Sequence, residues 1–154
     1  MHGDRQARLI AHRQAILAGC AGTRVRRLAR RLARRYDLAL APVGLTLSQL
    51  MLLLACAGPR PVAVAEVAER LDLDRTTLSR TLAPLARRDL VTLATADDHR
   101  TRLVSLTGEG HDRLDDGLAL WATVERAVTE SLSVETLARL LADLERLAEA
   151  GRLR

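Results

Sequence analysis

Two short stretches concentrate the side chains able to make directed polar contacts. In the first, Asp74 is followed by Arg75, Thr76, Thr77, Ser79 and Arg80, with Arg87 two turns further on. In the second, Asp98, His99, Arg100 and Arg102 crowd into the segment from Thr95 to Thr107, Thr-Ala-Asp-Asp-His-Arg-Thr-Arg-Leu-Val-Ser-Leu-Thr. A guanidinium fork matches the two acceptors on a guanine edge, and a short hydroxyl reaches a phosphate or a base edge. The same side chains also solvate any exposed helix or loop, so their meaning depends on the elements that carry them. Catalytic signatures are missing: no glycine-rich phosphate loop, nucleophile elbow or paired histidines occur. An enzyme is not expected. Four scattered histidines, with Cys20 and Cys56, lack metal-ligand spacing, so neither a metal nor another cofactor is expected.

The positioning elements follow from hydrophobic spacing. Leu78, Leu82 and Leu85 recur at i, i+4 and i+7, which makes one apolar helix face and turns Arg75, Thr76, Ser79, Arg80, Ala83 and Arg87 outward. Asp74 is the expected N-cap. Val67 and Leu71 face inward from a preceding helix and Leu73 plugs a short turn, giving a helix-turn-helix pattern. Pro84 removes one backbone donor inside the second helix and is expected to bend it, or else to break it. Leu90 to Ala94 and Arg102 to Leu106 read as two short strands, so Asp98 to Arg100 falls at the polar tip of a hairpin.

Outside this core the chain reads as helix. From Ala18 to Leu40, Val25, Leu28, Ala29, Leu32, Ala33 and Tyr36 recur at helical spacing among seven arginines, and Pro42 ends the run. Thr46 to Gln49 has the capping-box pattern and opens a helix, apolar all round, that reaches Cys56 and stops at Gly58 and Pro59. Thr107 caps a long helix with core face Leu114, Leu118, Trp121, Val128 and Leu132, and a last helix carries Leu137, Leu140, Leu141, Leu144 and Leu147. A mainly α fold with a small β-hairpin is expected, as a single domain over residues 1–154.

Composition agrees. In 154 residues only Tyr36 and Trp121 are aromatic, so Leu, Val and Ala must fill the core. The longest apolar run, Leu50 to Ala57, is far short of a membrane span, and the N-terminus lacks the apolar stretch of a signal peptide. A cytoplasmic protein without a membrane partner is expected. Residues 1–60 hold 11 arginines against Asp4 and Asp37, whereas residues 61–107 hold seven arginines against seven acids. A polyanion contact there must rest on placement rather than bulk charge. RNA is disfavoured, because single-stranded recognition generally uses aromatic platforms.

The stretches Gly44 to Leu54, Ala68 to Val91 and above all Asp97 to Gly110, with Asp-x-Arg, a strand and Leu-Thr-x-x-Gly, resemble the multiple antibiotic resistance regulator (MarR) family of bacterial transcription factors. The resemblance runs from about Cys20 to Leu147. It implies a winged helix-turn-helix at about 46–107, flanked by dimerisation helices at about 4–40 and 108–150. It further implies a homodimer that binds a near-palindromic site in double-stranded DNA, most simply as a repressor released by a small molecule or an oxidant. The hairpin is then a wing, with Arg100 entering the minor groove, Asp98 holding its guanidinium and Arg102 touching phosphate. Arg75 and Arg80 are the expected base readers, with Thr76, Thr77 and Ser79 positioning them. The family's effector pocket lies near the junction of the dimer helices and the DNA-binding lobe, where His12, Tyr36 and Trp121 could supply walls. Part of the family senses oxidants through a cysteine in the first helix. Cys20 has Arg24 one turn away to lower its pKa, although its register to Tyr36 differs from that branch. The alternative is a winged-helix protein-interaction module that does not bind DNA.

Overall fold

The computed structural model describes residues 2–97 and 99–150; of residues 2–4, 7, 11, 14, 15 and 18 only the backbone is described. Two helices open the chain, α1 (His2–Gly19) and α2 (Ala21–Leu40). The sequence reading runs one helix on from Ala18. The structure instead breaks it at Cys20, whose ψ of 117° is extended. Glycines on either side, Gly19 and Gly22, favour the break, because glycine weakens a helix interior. A single 3-10 turn, Ala41–Val43, places Pro42 where its missing donor does no harm, and leads to Gly44 in the left-handed region at φ 64°.

The capping box forms as expected: the Gln49 N–H donates to Thr46 Oγ1 and the Thr46 N–H to Gln49 Oε1, opening α3 (Leu47–Cys56). Asp37 adds a third fastener by accepting from the Leu47 N–H at 2.7 Å. Leu50, Leu52, Leu53 and Cys56 are buried, but Leu54 is 44% exposed, so α3 is covered on most sides rather than on all.

Next come β1 (Val62–Ala63), α4 (Val64–Arg70), α5 (Arg75–Arg87), β2 (Val91–Thr95) and β3 (Arg102–Leu106). The two hairpin strands pair from Val91 opposite Leu106 to Thr95 opposite Arg102. Strand β1 adds a third strand on the other edge of β3, with Val62 opposite Val104. Two residues after a proline carry no readable alternation, which is why the sequence shows two strands and the fold has three. Helix α5 runs unbroken through Pro84, so the alternative of a helix break there does not occur. Its Leu78, Leu82 and Leu85 are buried with Val67, Leu90, Val91 and Val104 in the core of this lobe.

Helix α6 (Gly108–Glu130) packs along α2 and α3, and α7 (Val134–Ala150) ends the described chain. The expected α6 face holds for Leu114, Leu118 and Trp121. It does not extend to Leu132, which lies beyond the end of the helix and is exposed. Two glycines set the fit of α6. A side chain at Gly117 would meet Leu50 Cδ1 at 2.6 Å, and one at Gly110 would run into the Leu90 carbonyl. Thr107 caps α6 by accepting from the Gly110 N–H, while its own hydroxyl donates to Asp89 O. The Leu-Thr-x-x-Gly pattern is therefore a joint: the threonine ties strand to helix, and only glycine leaves room for the backbone beside it.

Apolar surface remains uncovered at both chain ends. Leu9, Ile10, Ile16 and Leu17 on α1, Val25, Leu28 and Leu32 on α2, and Leu140, Leu141 and Leu147 on α7 are all exposed in the single chain. No residue of α7 is buried.

Candidate nucleic-acid interface

Helix α5 starts on a well-made cap. The Asp74 carboxylate accepts from the Thr76 and Thr77 N–H groups, both at 2.9 Å, and from the Thr77 hydroxyl at 2.7 Å. These donors, Thr77 first, hold its carboxyl below the usual range. Thr77 therefore orients the helix start, with its hydroxyl proton committed to Asp74. Arg75, Thr76, Ser79, Arg80 and Ala83 share one open surface of the helix, as the spacing predicts.

The wing meets this surface. Its tip is closed by the Ala96 N–H donating to Thr101 O at 2.8 Å and the His99 N–H to Ala96 O at 2.9 Å, with His99 in the left-handed region at φ 55°. Asp98, the expected partner of the Arg100 guanidinium, lies outside the described residues. Arg100, Thr101 and Arg102 line a cleft of about 340 Å³ together with Arg75, Leu78 and Ser79 of α5 and Val64 and Ala65 of α4. Three arginines from two elements distant in sequence thus converge on one concavity. Val64, Ala65 and Thr101 escaped the sequence reading. Val64 and Ala65 are small and apolar and carry no chemical signal, Thr101 reads as an ordinary polar turn residue, and only the pairing of β1 with β3 brings α4 to the cleft. Arg87 stands apart, exposed at the far end of α5 and outside this cleft.

The residues considered for signal sensing lie on α1, α2, α3 and α6 and at the α1–α2 break. His12 sits on α1, its Nδ1 at 2.9 Å from Arg8 O. Tyr36, in α2, is buried and donates to Glu125 Oε2 of α6 at 2.5 Å; burial, reinforced by that carboxylate, pushes its pKa to about 12. Trp121, one turn before Glu125, packs half-buried against the core. None of the three lines the cleft between α4, α5 and the wing. Cys20 is exposed at the α1–α2 break, and hydrogen bonding to the Thr23 backbone and hydroxyl lowers its pKa; Thr23, rather than the expected Arg24, is the cause. Cys56 is the opposite, buried in α3 with its thiol pushed up to about 11 by desolvation. Among the described residues no group of three or more His, Cys, Asp or Glu side chains is placed to hold a metal ion. Nor is any single described helix long and apolar enough to cross a membrane.

A helix-turn-helix whose second helix is flanked by an arginine-bearing β-hairpin is a winged-helix arrangement of the kind that reads duplex DNA. The sequence profile of the MarR family matches residues 43–101, which span α3 to the wing tip. The M. tuberculosis transcriptional regulator MosR, solved in complex with DNA, is 36% identical over 87% of this chain and 99% of that one, with a TM-score of 0.76. The transcriptional repressor CouR, bound to a 23-mer DNA duplex, is 27% identical, covering 86% of this chain and 95% of that one, with a TM-score of 0.74. The PcaV transcriptional regulator from Streptomyces coelicolor, in complex with its natural ligand, is 26% identical, covering 88% and 96%, with a TM-score of 0.72. No match was found among curated proteins. The chain belongs to the MarR family and is a DNA-binding transcriptional regulator.

Proposed function

We propose that the protein is a cytoplasmic repressor and not an enzyme, acting as a homodimer on a near-palindromic operator. The observation that carries this reading is the convergence of Arg75 on α5 with Arg100 and Arg102 on the wing around one cleft. The N-terminal half of α5 enters the major groove, where Arg75 and Arg80 donate to base edges and Thr76 and Ser79 to phosphate or base. The wing lies across the adjacent minor groove, where a narrow A·T-rich stretch concentrates negative potential around Arg100. Arg102 contacts phosphate. Residues 46–107 form the DNA-binding lobe, and the helices of residues 4–40 and 108–150 form the dimer. The exposed apolar faces of α1, α2 and α7 support that assembly, since a self-complementary interface buries such faces. Release follows a small molecule bound beside the dimer helices, or oxidation at Cys20.

Selection of duplexes from a random library, followed by anisotropy titration with excess unrelated DNA, tests the reading. Recovery of a two-fold-symmetric sequence bound by a dimer supports it. Failure to enrich any sequence rejects it.

A further inference from the structure

Two stretches of backbone connect the DNA-binding lobe to the helices outside it, residues 41–46 between α2 and α3, and Thr107 between β3 and α6 together with the first turn of α6. Both are fastened to the same place. Arg88, the first residue after α5, donates from Nη1 to Gly44 O at 2.8 Å, and Gly44 is shaped for it. A side chain at that positive-φ position would stand 3.2 Å from Arg88 Nη2. Arg113 of α6, paired with Glu109, donates to the neighbouring Val43 O at 3.3 Å. On the other connection, the Thr107 hydroxyl donates to Asp89 O at 2.6 Å, the Thr107 N–H donates to Leu90 O at 3.2 Å, and Gly110 lies against the Leu90 carbonyl. Asp89 holds φ 56°, a left-handed turn that reverses the chain between α5 and β2. Residues 88–90, directly behind the recognition helix, therefore grip both exits from the lobe.

We infer that the turn at residues 88–90 is the fulcrum that fixes the direction of α5 relative to the dimer helices, and that Arg88 is a positioning residue setting the half-site spacing the dimer accepts. The inference rests on the dimeric operator reading above. Geometry gives it leverage. Helix α5 has 13 residues, about 20 Å at 1.5 Å per residue. A tilt of roughly 10° about its Arg88 end moves the Arg75 end by about 3.5 Å, one base-pair step of the duplex. Loss of one fastener is thus enough to let a half-site one base pair out of register be read. Arg88 sits at the end of α5 opposite Arg75 and outside the cleft formed with the wing, so it acts through orientation rather than by touching the operator.

The test uses full-length protein and a series of duplexes in which two copies of the selected half-site are separated by spacers differing by single base pairs. Affinity is measured for wild type, Arg88→Ala and Arg88→Lys, each at several salt concentrations. Wild type is expected to prefer one spacing sharply. Arg88→Ala is expected to flatten the preference by about tenfold, losing affinity at the best spacing and gaining at its neighbours, with single-half-site affinity and the salt slope unchanged. Arg88→Lys, long enough to keep one donor on Gly44 O, restores the preference. An unaltered spacing profile for Arg88→Ala overturns the inference. So does a salt slope reduced by about one per protomer, which marks a phosphate contact. If Arg88→Ala does not fold, Arg88→Met, which keeps an unbranched stem and removes the donor on Gly44 O, must flatten the profile in its place, and an unchanged profile there is equally fatal. Wild-type protein with no spacing preference rejects the dimeric operator reading itself.

Discussion

The joint at the start of α6 makes a prediction in which the sign of an effect changes across two residues. An alanine at Gly110 would put its Cβ against the Leu90 carbonyl, with the carbonyl carbon at 3.0 Å. Carbon atoms prefer about 3.5–4.0 Å, so the backbone at Leu90 must retreat on the order of 1 Å. That carbonyl also accepts from the Thr107 N–H. Overpacking of this kind costs about 1–3 kcal/mol, and stretching the hydrogen bond adds about 1 kcal/mol or more. Alanine's better helix propensity returns only about 0.5–1 kcal/mol. The net destabilisation is about 1–3.5 kcal/mol, a fall in Tm of roughly 2–14 °C for a chain of this size. Gly108, one position into the same helix, has nothing within 4 Å of its ideal Cβ. Gly108→Ala is therefore expected to stabilise by about 0.5–1 kcal/mol. Gly117→Ala crowds the movable end of Leu50, with Leu45 and Leu40 at ordinary contact, and falls between, about 1–2 kcal/mol destabilising. Thermal unfolding followed by circular dichroism at equal protomer concentration gives the order Gly108→Ala, wild type, Gly117→Ala, Gly110→Ala. A Gly110→Ala protein as stable as wild type would refute the reading of this motif as a close-packed joint.

Other outcomes follow from the same contacts. Arg100→Ala is expected to weaken operator binding by about 10-fold to 100-fold while sedimentation shows the same oligomer, since an arginine contact in a groove is worth roughly 1–3 kcal/mol. Asp74 has a lowered folded-state pKa, so its cap contributes stability above its unfolded pKa, near 4, that is lost as pH falls through the lower folded value. Denaturant midpoints measured from pH 7 to pH 2 should show this loss, and Asp74→Asn should remove that component of the acid dependence. Thiol reagents at pH 7 should label Cys20 quickly and Cys56 only on unfolding, given the exposure of the first and the burial and raised pKa of the second. Tyr36→Phe leaves the Glu125 carboxylate without its donor and is expected to destabilise by about 1–3 kcal/mol, read from urea midpoints.

The spacing of Leu78, Leu82 and Leu85, the capping residues Thr46, Asp74 and Thr107, and the polar interval between two β-branched runs made the winged helix readable, because each is a local rule with a local signal. Contacts between distant segments left no such signal. Strand β1 exists only because β3 offers an edge, and α4 reaches the cleft only through that pairing. Arg88 and Arg113 look like ordinary surface cations in sequence, yet they bind carbonyls 44 and 70 positions away. Cys20 illustrates a subtler limit. The apolar stripe continues past it without interruption, while the flanking glycines let the backbone turn extended there and bring Thr23, not Arg24, to the thiol.

The claim that α5 and the wing together read duplex DNA is tested most directly by the salt dependence of binding to a selected duplex, compared between wild type and the Arg75→Ala/Arg100→Ala double variant. With Arg102 of each protomer on phosphate and Arg75, Arg80 and Arg100 of each in the grooves beside it, wild type should lose affinity as salt rises, with a log–log slope of about −2 or steeper, and should withstand excess unrelated DNA. The double variant should keep its fold and its dimer but lose discrimination between the selected duplex and the competitor. Undiminished discrimination in the double variant would contradict the account, because the cleft shared by Arg75, Arg100 and Arg102 would then not be where the sequence is read.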